Sequence, residues 1–172
     1  IDRGPTSRDV VEQLLELQGC CRVVLIQGNH EEMMLDALGG RGDDGWLQYG
    51  GRETLESYGG HVDDVPKNHR EFLSDGLAYW ETDETIFVHA NLEPGVPLVD
   101  QRSRWLRWTH LTGRELPHPS GKRVVCGHTP QSNGLPLVMD GWTCLDTLCW
   151  AGGFLTCLDL ASDEIWQAQE SS

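Results

Sequence analysis

The sequence predicts a layered α/β domain. Two observations carry that prediction: apolar stripes at helical spacing dominate the first half, and short β-branched runs dominate the second. The 172 residues are enough for one domain with a sizeable core, and residues 1–172 are read as that single domain.

Thr6 to Gln18 places Val10, Val11, Leu14 and Leu15 on one helical stripe, with Thr6 and Asp9 as a capping pair and Pro5 just before. Arg22 to Ile26 is a short β-branched run bounded by Gly28, predicting a buried strand. Glu31 to Leu38 predicts a helix that ends at Gly39-Gly40. Trp46 to Tyr49 and Arg52 to Tyr58 predict two short helices separated by Gly50-Gly51, and Pro66 to Ser74 another. The period then changes. Strands are expected at Leu77–Glu81, Thr85–Val88, Arg123–Cys126, Leu137–Asp140, Trp142–Asp146, Leu155–Leu160 and Glu164–Ala168. The last two read as a hairpin over Ala161-Ser162-Asp163.

Thirteen Lys and Arg stand against 27 Asp and Glu, a formal charge of -14. Such a chain repels nucleic-acid backbones and anionic membrane surfaces, so neither is expected as a partner. No apolar run approaches the ~20 residues of a membrane span. A phosphorylated substrate is repelled too, unless arginines or metal ions supply positive charge locally. The six cysteines form no C-x-x-C pair, and Cys126 and Cys157 sit in apolar runs. They read as reduced core thiols of a cytoplasmic protein.

Three apolar runs each lead into a ligand-type residue. Val23 to Ile26 precedes Gly28-Asn29-His30-Glu31, Ile86 to Val88 precedes His89, and Val124 to Cys126 precedes Gly127-His128. Sites in α/β sheets form beyond the carboxyl ends of strands. Two imidazoles and an amide oxygen suit Mn, Fe, Zn or Ni better than Ca. Gly28 and Gly127 are expected to permit the bends that aim these side chains. His61, His69, His110 and His118 lie in polar stretches and read as ordinary satisfied histidines.

Four ordered blocks then match a family. Asp2-Arg3-Gly4-Pro5, Gly28-Asn29-His30-Glu31, Val88-His89-Ala90 and Gly127-His128-Thr129-Pro130 resemble those of the phosphoprotein-phosphatase branch of calcineurin-like metallophosphoesterases. Trp46 to Gly59 and the tail Leu145-Asp146-Thr147 with Gly152 to Thr156 are similar to bacterial members in particular. The resemblance implies a sandwich of two mixed β-sheets flanked by helices, and a serine/threonine phosphatase using two divalent ions (Mn, Fe or Zn) and a bridging hydroxide. A dinucleoside-tetraphosphate hydrolase of the same family is the alternative. It implies Asn29, His89 and His128 as metal ligands, Asn29 also facing phosphate, and His30 as the general acid held by Asp2. Arg3 and Arg107 would grip phosphate oxygens, with Arg102 and Arg104 close enough to compete with Arg107. The substrate would be a phosphorylated protein or a small phosphoester.

The sequence departs from that pattern. It opens inside the second block, so the bridging Asp and the first-site Asp and His have no counterpart here. An N-terminally truncated chain is therefore expected, lacking the first strand, retaining part of one metal site, and inactive alone. Asn91 stands where Gly usually follows His-Ala, and Leu148 where Gly usually follows Asp-Thr.

Overall fold

The computed structural model describes residues 1–42 and 44–169. The chain divides into two compact units, Ile1–Leu77 and the residues from Ala78 on, each holding its own apolar core.

The first unit is helical. α1 (Ser7–Gln18) turns Val11 inward at 1 % exposure, while Val10 faces out at 46 %. The buried stripe is thus narrower than the spacing suggests. Thr6 makes no side-chain cap bond, and only Asp9 in the first turn complements the helix dipole. α2 (Asn29–Leu38) starts two residues earlier than expected, because the Glu31 carboxylate reaches back to accept the Gly28 N–H at 2.9 Å. α3 (Asp44–Trp46), a π-turn (Leu47–Gly51) and α4 (Arg52–Tyr58) follow in one run, kinked where Gly50 takes φ 107°. Pro66 caps α5 (Lys67–Ser74) from an extended conformation rather than opening it. Val11, Met34, Trp46, Tyr58, Phe72 and Leu73 form the heart of this core.

Arg22–Ile26 is not a buried strand. It pairs at a single parallel bridge, Ile26 with Leu77, and Val23 to Ile26 are only half-buried. Val23, Val24 and Leu25 line a cavity of about 450 Å³, so this segment lacks the ladder that would make it a strand.

The second unit is built on a five-stranded sheet in the order β1-β2-β3-β5-β4. Its strands are β1 (Tyr79–Glu81), β2 (Thr85–Val88), β3 (Arg123–Cys126), β4 (Leu137–Met139) and β5 (Trp142–Cys144). The central β2, β3 and β5 run parallel, and antiparallel β1 and β4 form the edges. Ile86, Val88, Val124, Cys126, Trp142 and Cys144 share one face by register and form its core, while Thr85, Val125 and Thr143 are buried on the other, as expected of parallel strands covered on both faces. α6 (Ser103–Trp108) was not foreseen, since six residues rich in Arg and Trp leave no apolar stripe to read. β6 (Leu155–Leu158) and β7 (Ile165–Ala168) make a second sheet. It is purely antiparallel rather than mixed, because two strands joined by so short a loop can pair only that way.

A mixed sheet, a second sheet and helices give the α/β class that the sequence predicts. No helix among the described residues is long and apolar enough to cross a membrane. The cysteine reading needs correction. Cys126 and Cys144 are buried, whereas Cys20, Cys21, Cys149 and Cys157 are exposed. The run holding Cys157 alternates outward and half-buried positions, so its apolar composition does not imply burial.

Candidate active site

In the first unit, the Asp2 side chain has no solvent exposure, and its Oδ2 accepts a hydrogen bond from His30 Nδ1 at 2.6 Å. Thr54 Oγ1 donates to Asp2 Oδ1 at 2.6 Å, and Trp46 Nε1 donates to Oδ2 at 2.9 Å. A buried carboxylate is tolerable only when its lone pairs are filled in this way. Asp2 and Arg3 both take left-handed backbone, at φ 74° and 66°. That strained pair is anchored by the Asp2 N–H, shared between Ser7 Oγ and Thr54 Oγ1 at 3.0 Å each, and by Arg3 N–H donating to the Gly50 carbonyl at 3.3 Å. With Nδ1 committed to the carboxylate, the other imidazole nitrogen is the one available for proton transfer.

The Gly50-Gly51 pair, read from sequence as a helix break, has a packing reason. A Cβ on Gly50 would lie 2.5 Å from the Arg3 nitrogen, and one on Gly51 would lie 2.5 Å from the Trp46 ring. Both residues let the α3–α4 run close on the Asp2-Arg3 turn. Asn29 is buried at 7 % exposure, as the first residue of α2.

In the second unit, His89 follows β2 and His128 follows β3 directly after Gly127. Gly127 N–H donates to the His89 carbonyl at 2.9 Å, tying the two strand ends together. His89 Nε2 and His128 Nδ1 stand 3.2 Å apart. Neither Gly28 nor Gly127 uses positive φ; the bend after β3 falls on His128 itself, at φ 63°. His110, read from sequence as an ordinary histidine, stacks on the His128 ring with centroids 4.5 Å apart and planes 21° from parallel. Asn91 holds that loop in place. Its side chain donates to the His110 carbonyl at 3.2 Å, and its N–H donates to the Trp105 carbonyl at 3.1 Å. The Asn at this position therefore braces the loop beside the imidazoles.

Arg107 lies on α6, where a guanidinium N–H donates to Ser103 Oγ at 2.9 Å. Arg102 forks onto the Glu93 carboxylate, and that pairing raises its pKa further. A guanidinium so engaged competes poorly for phosphate, which leaves Arg107 and Arg104. His69 is buried at 1 % exposure between Tyr58 and Glu12, a satisfied core histidine as expected.

Two nitrogens on adjacent positions of a tetrahedral ion, each ~2.0–2.1 Å from it, stand about 3.3 Å apart. The His89–His128 separation fits that spacing. Among the described residues, however, no group of three or more His, Cys, Asp or Glu side chains is placed to hold a metal. The second unit thus offers two donors of a sphere that ordinarily needs at least three from protein.

A family model described as calcineurin-like phosphoesterase matches residues 1–132, a span containing all four sequence blocks. The chain belongs to that family. Calcineurin-like phosphoesterases use a dinuclear divalent-metal centre, and the chain is accordingly a metal-dependent phosphoesterase by class. Among solved structures, the crystal structure of a candidate diadenosine tetraphosphatase aligns with a TM-score of 0.75 and 18 % identity. The alignment covers 98 % of this chain and 76 % of that one, a likeness of fold. No curated protein sequence matches the chain significantly.

Sequence reading missed His110, Asn91 as a brace, and the Trp46–Thr54–Ser7 cradle under Asp2. Asn91 was visible as a departure from the family block. The others lie far apart in sequence and carry no local pattern.

Proposed function

We propose that this phosphoesterase hydrolyses phosphomonoesters of serine or threonine, with His30 protonating the leaving oxygen and Asp2 orienting it. The buried Asp2–His30 contact is the observation that supports this reading most directly. Arg3 and Arg107 would bind phosphoryl oxygens, which an acidic chain of net charge -14 needs. Asn29, His89 and His128 would serve as metal ligands. Divalent ions, when bound, supply an acidified water and polarise phosphoryl oxygens. A cytoplasmic phosphorylated protein or small phosphoester is the proposed partner, without nucleic acid or membrane.

A second reading is hydrolysis of a dinucleoside polyphosphate, favoured by the described activity of the structural neighbour. The deciding assay uses the complete gene product, supplied with Mn. A phosphoserine peptide and a dinucleoside tetraphosphate are compared as substrates. Faster turnover of the dinucleotide would replace the first reading with the second, and failure on both and on an aryl phosphate would end each. His30→Asn should lower turnover by about 10²–10⁴-fold at unchanged metal content. His128→Asn should lower metal content itself.

A further inference from the structure

One concavity of the second unit takes no part in the chemistry above. It encloses about 660 Å³, within the range of pockets that bury most of a small organic ligand. Its walls include Leu92, Val96, Trp105, Leu116 and Trp142. Four prolines, Pro94, Pro97, Pro117 and Pro119, add apolar surface without backbone donors. Several polar groups along it are engaged within the protein, while the Arg114 guanidinium also lines it. Glu93 holds Arg102, Glu115 accepts N–H bonds from Thr112 and Gly113, and Trp142 Nε1 donates to the Leu116 carbonyl. A flat ring would find aromatic and proline surface there, and the Arg114 guanidinium could stack on it.

The concavity also shares a wall with the imidazole pair. His110 lines it and stacks on His128 at the same time, and Asn91 lines it two residues after His89. A phosphoester whose phosphoryl group lies at the histidines would have this space beside it.

We infer that the concavity is a specificity pocket for a planar aromatic ring of a phosphoester held at the imidazole pair. This deepens the phosphoesterase reading by naming a substrate feature, and it rests on that reading for the position of the phosphoryl group. A phosphoserine or phosphothreonine peptide would fill it through a neighbouring aromatic residue, and an aryl or nucleobase phosphoester through its own ring.

The test is calorimetric titration of the chain with adenosine, phenol and ribose 5-phosphate, none of which requires turnover. The ring compounds should bind saturably with Kd of roughly 1 mM or tighter, and ribose 5-phosphate should not. Binding of adenosine alone assigns the ring as a nucleobase, and binding of both rings assigns it as any aryl group. Leu116→Asp changes a side chain that is 83 % exposed, so folding should survive. It should weaken ring binding by about tenfold or more, as should Trp105→Ala. Ring binding unchanged in a folded Leu116→Asp protein overturns the proposal. So does its absence in the wild-type chain, or displacement of the ring by a phosphoserine peptide lacking aromatic residues. The probes carry either a ring or a phosphate, never both. Loss of hydrolysis with ring binding intact therefore fails the catalytic reading alone.

Discussion

His30 Nδ1 meets Asp2 Oδ2 at 2.6 Å, and that carboxylate is shut off entirely from solvent. His30 is thus tied into the first unit's buried framework, and the proposed acid role would draw on the same contact. Asp2→Asn keeps the shape but replaces one acceptor oxygen with a donor, facing Trp46, Thr54 or His30, which all donate to Asp2. Such a mismatch costs ~1–3 kcal/mol. Urea unfolding of the variant should show that loss, and turnover of the active protein should fall with it.

Gly50→Ala should be at least as damaging, by about 2 kcal/mol or more. The new Cβ would take φ 107° and press within 2.5 Å of the Arg3 nitrogen, moving the Asp2-Arg3 turn. Chemical denaturation measures the loss. An unchanged midpoint would mean that the α3–α4 run does not lock that turn.

Tyr58 gives the fold a defined weakness toward alkali. Burial pushes its hydroxyl up to about 12; Arg8 opposes the shift and Glu12 adds to it. An unfolded tyrosine ionises near ~10. Between these values the unfolded chain releases a proton that the folded chain keeps. The stability from this group is therefore complete below pH ~10 and is lost as pH rises toward 12. Tyr58→Phe should flatten that decline, read as urea midpoints at about pH 9 and about pH 11.

Thiol labelling with an aromatic disulfide should find four fast cysteines in the native chain, Cys20, Cys21, Cys149 and Cys157. Cys126 and Cys144 should react only after unfolding. Hydrogen bonding to Cys144 and burial both push the Cys126 thiol pKa upward, away from the reactive thiolate. Six fast thiols in the native protein would contradict the burial of β3 and β5.

Much of the fold was legible because its elements are set by local pattern. β2, β3 and β5 announce themselves as apolar β-branched or aromatic runs, and α2 by its glycine flanks. What local pattern does not carry is partnership. Arg22–Ile26 has the composition of a strand but pairs only at Ile26, so composition overstated its structure. In the site, Asp2 with His30 and His89 with His128 could be named from short motifs. His110 could not, because its contact with His128 depends on an Asn91 brace and a six-residue helix that no periodicity reveals.

The bend that aims His128 resides in that residue's own backbone, at φ 63°, with Gly127 contributing no positive φ. Histidine and asparagine tolerate this conformation far better than alanine does. An alanine scan at 128 would therefore report two losses as one, the imidazole and the shape of the chain. Asparagine separates them, and any replacement at this position that is to keep the bend is confined to side chains that accept a left-handed turn.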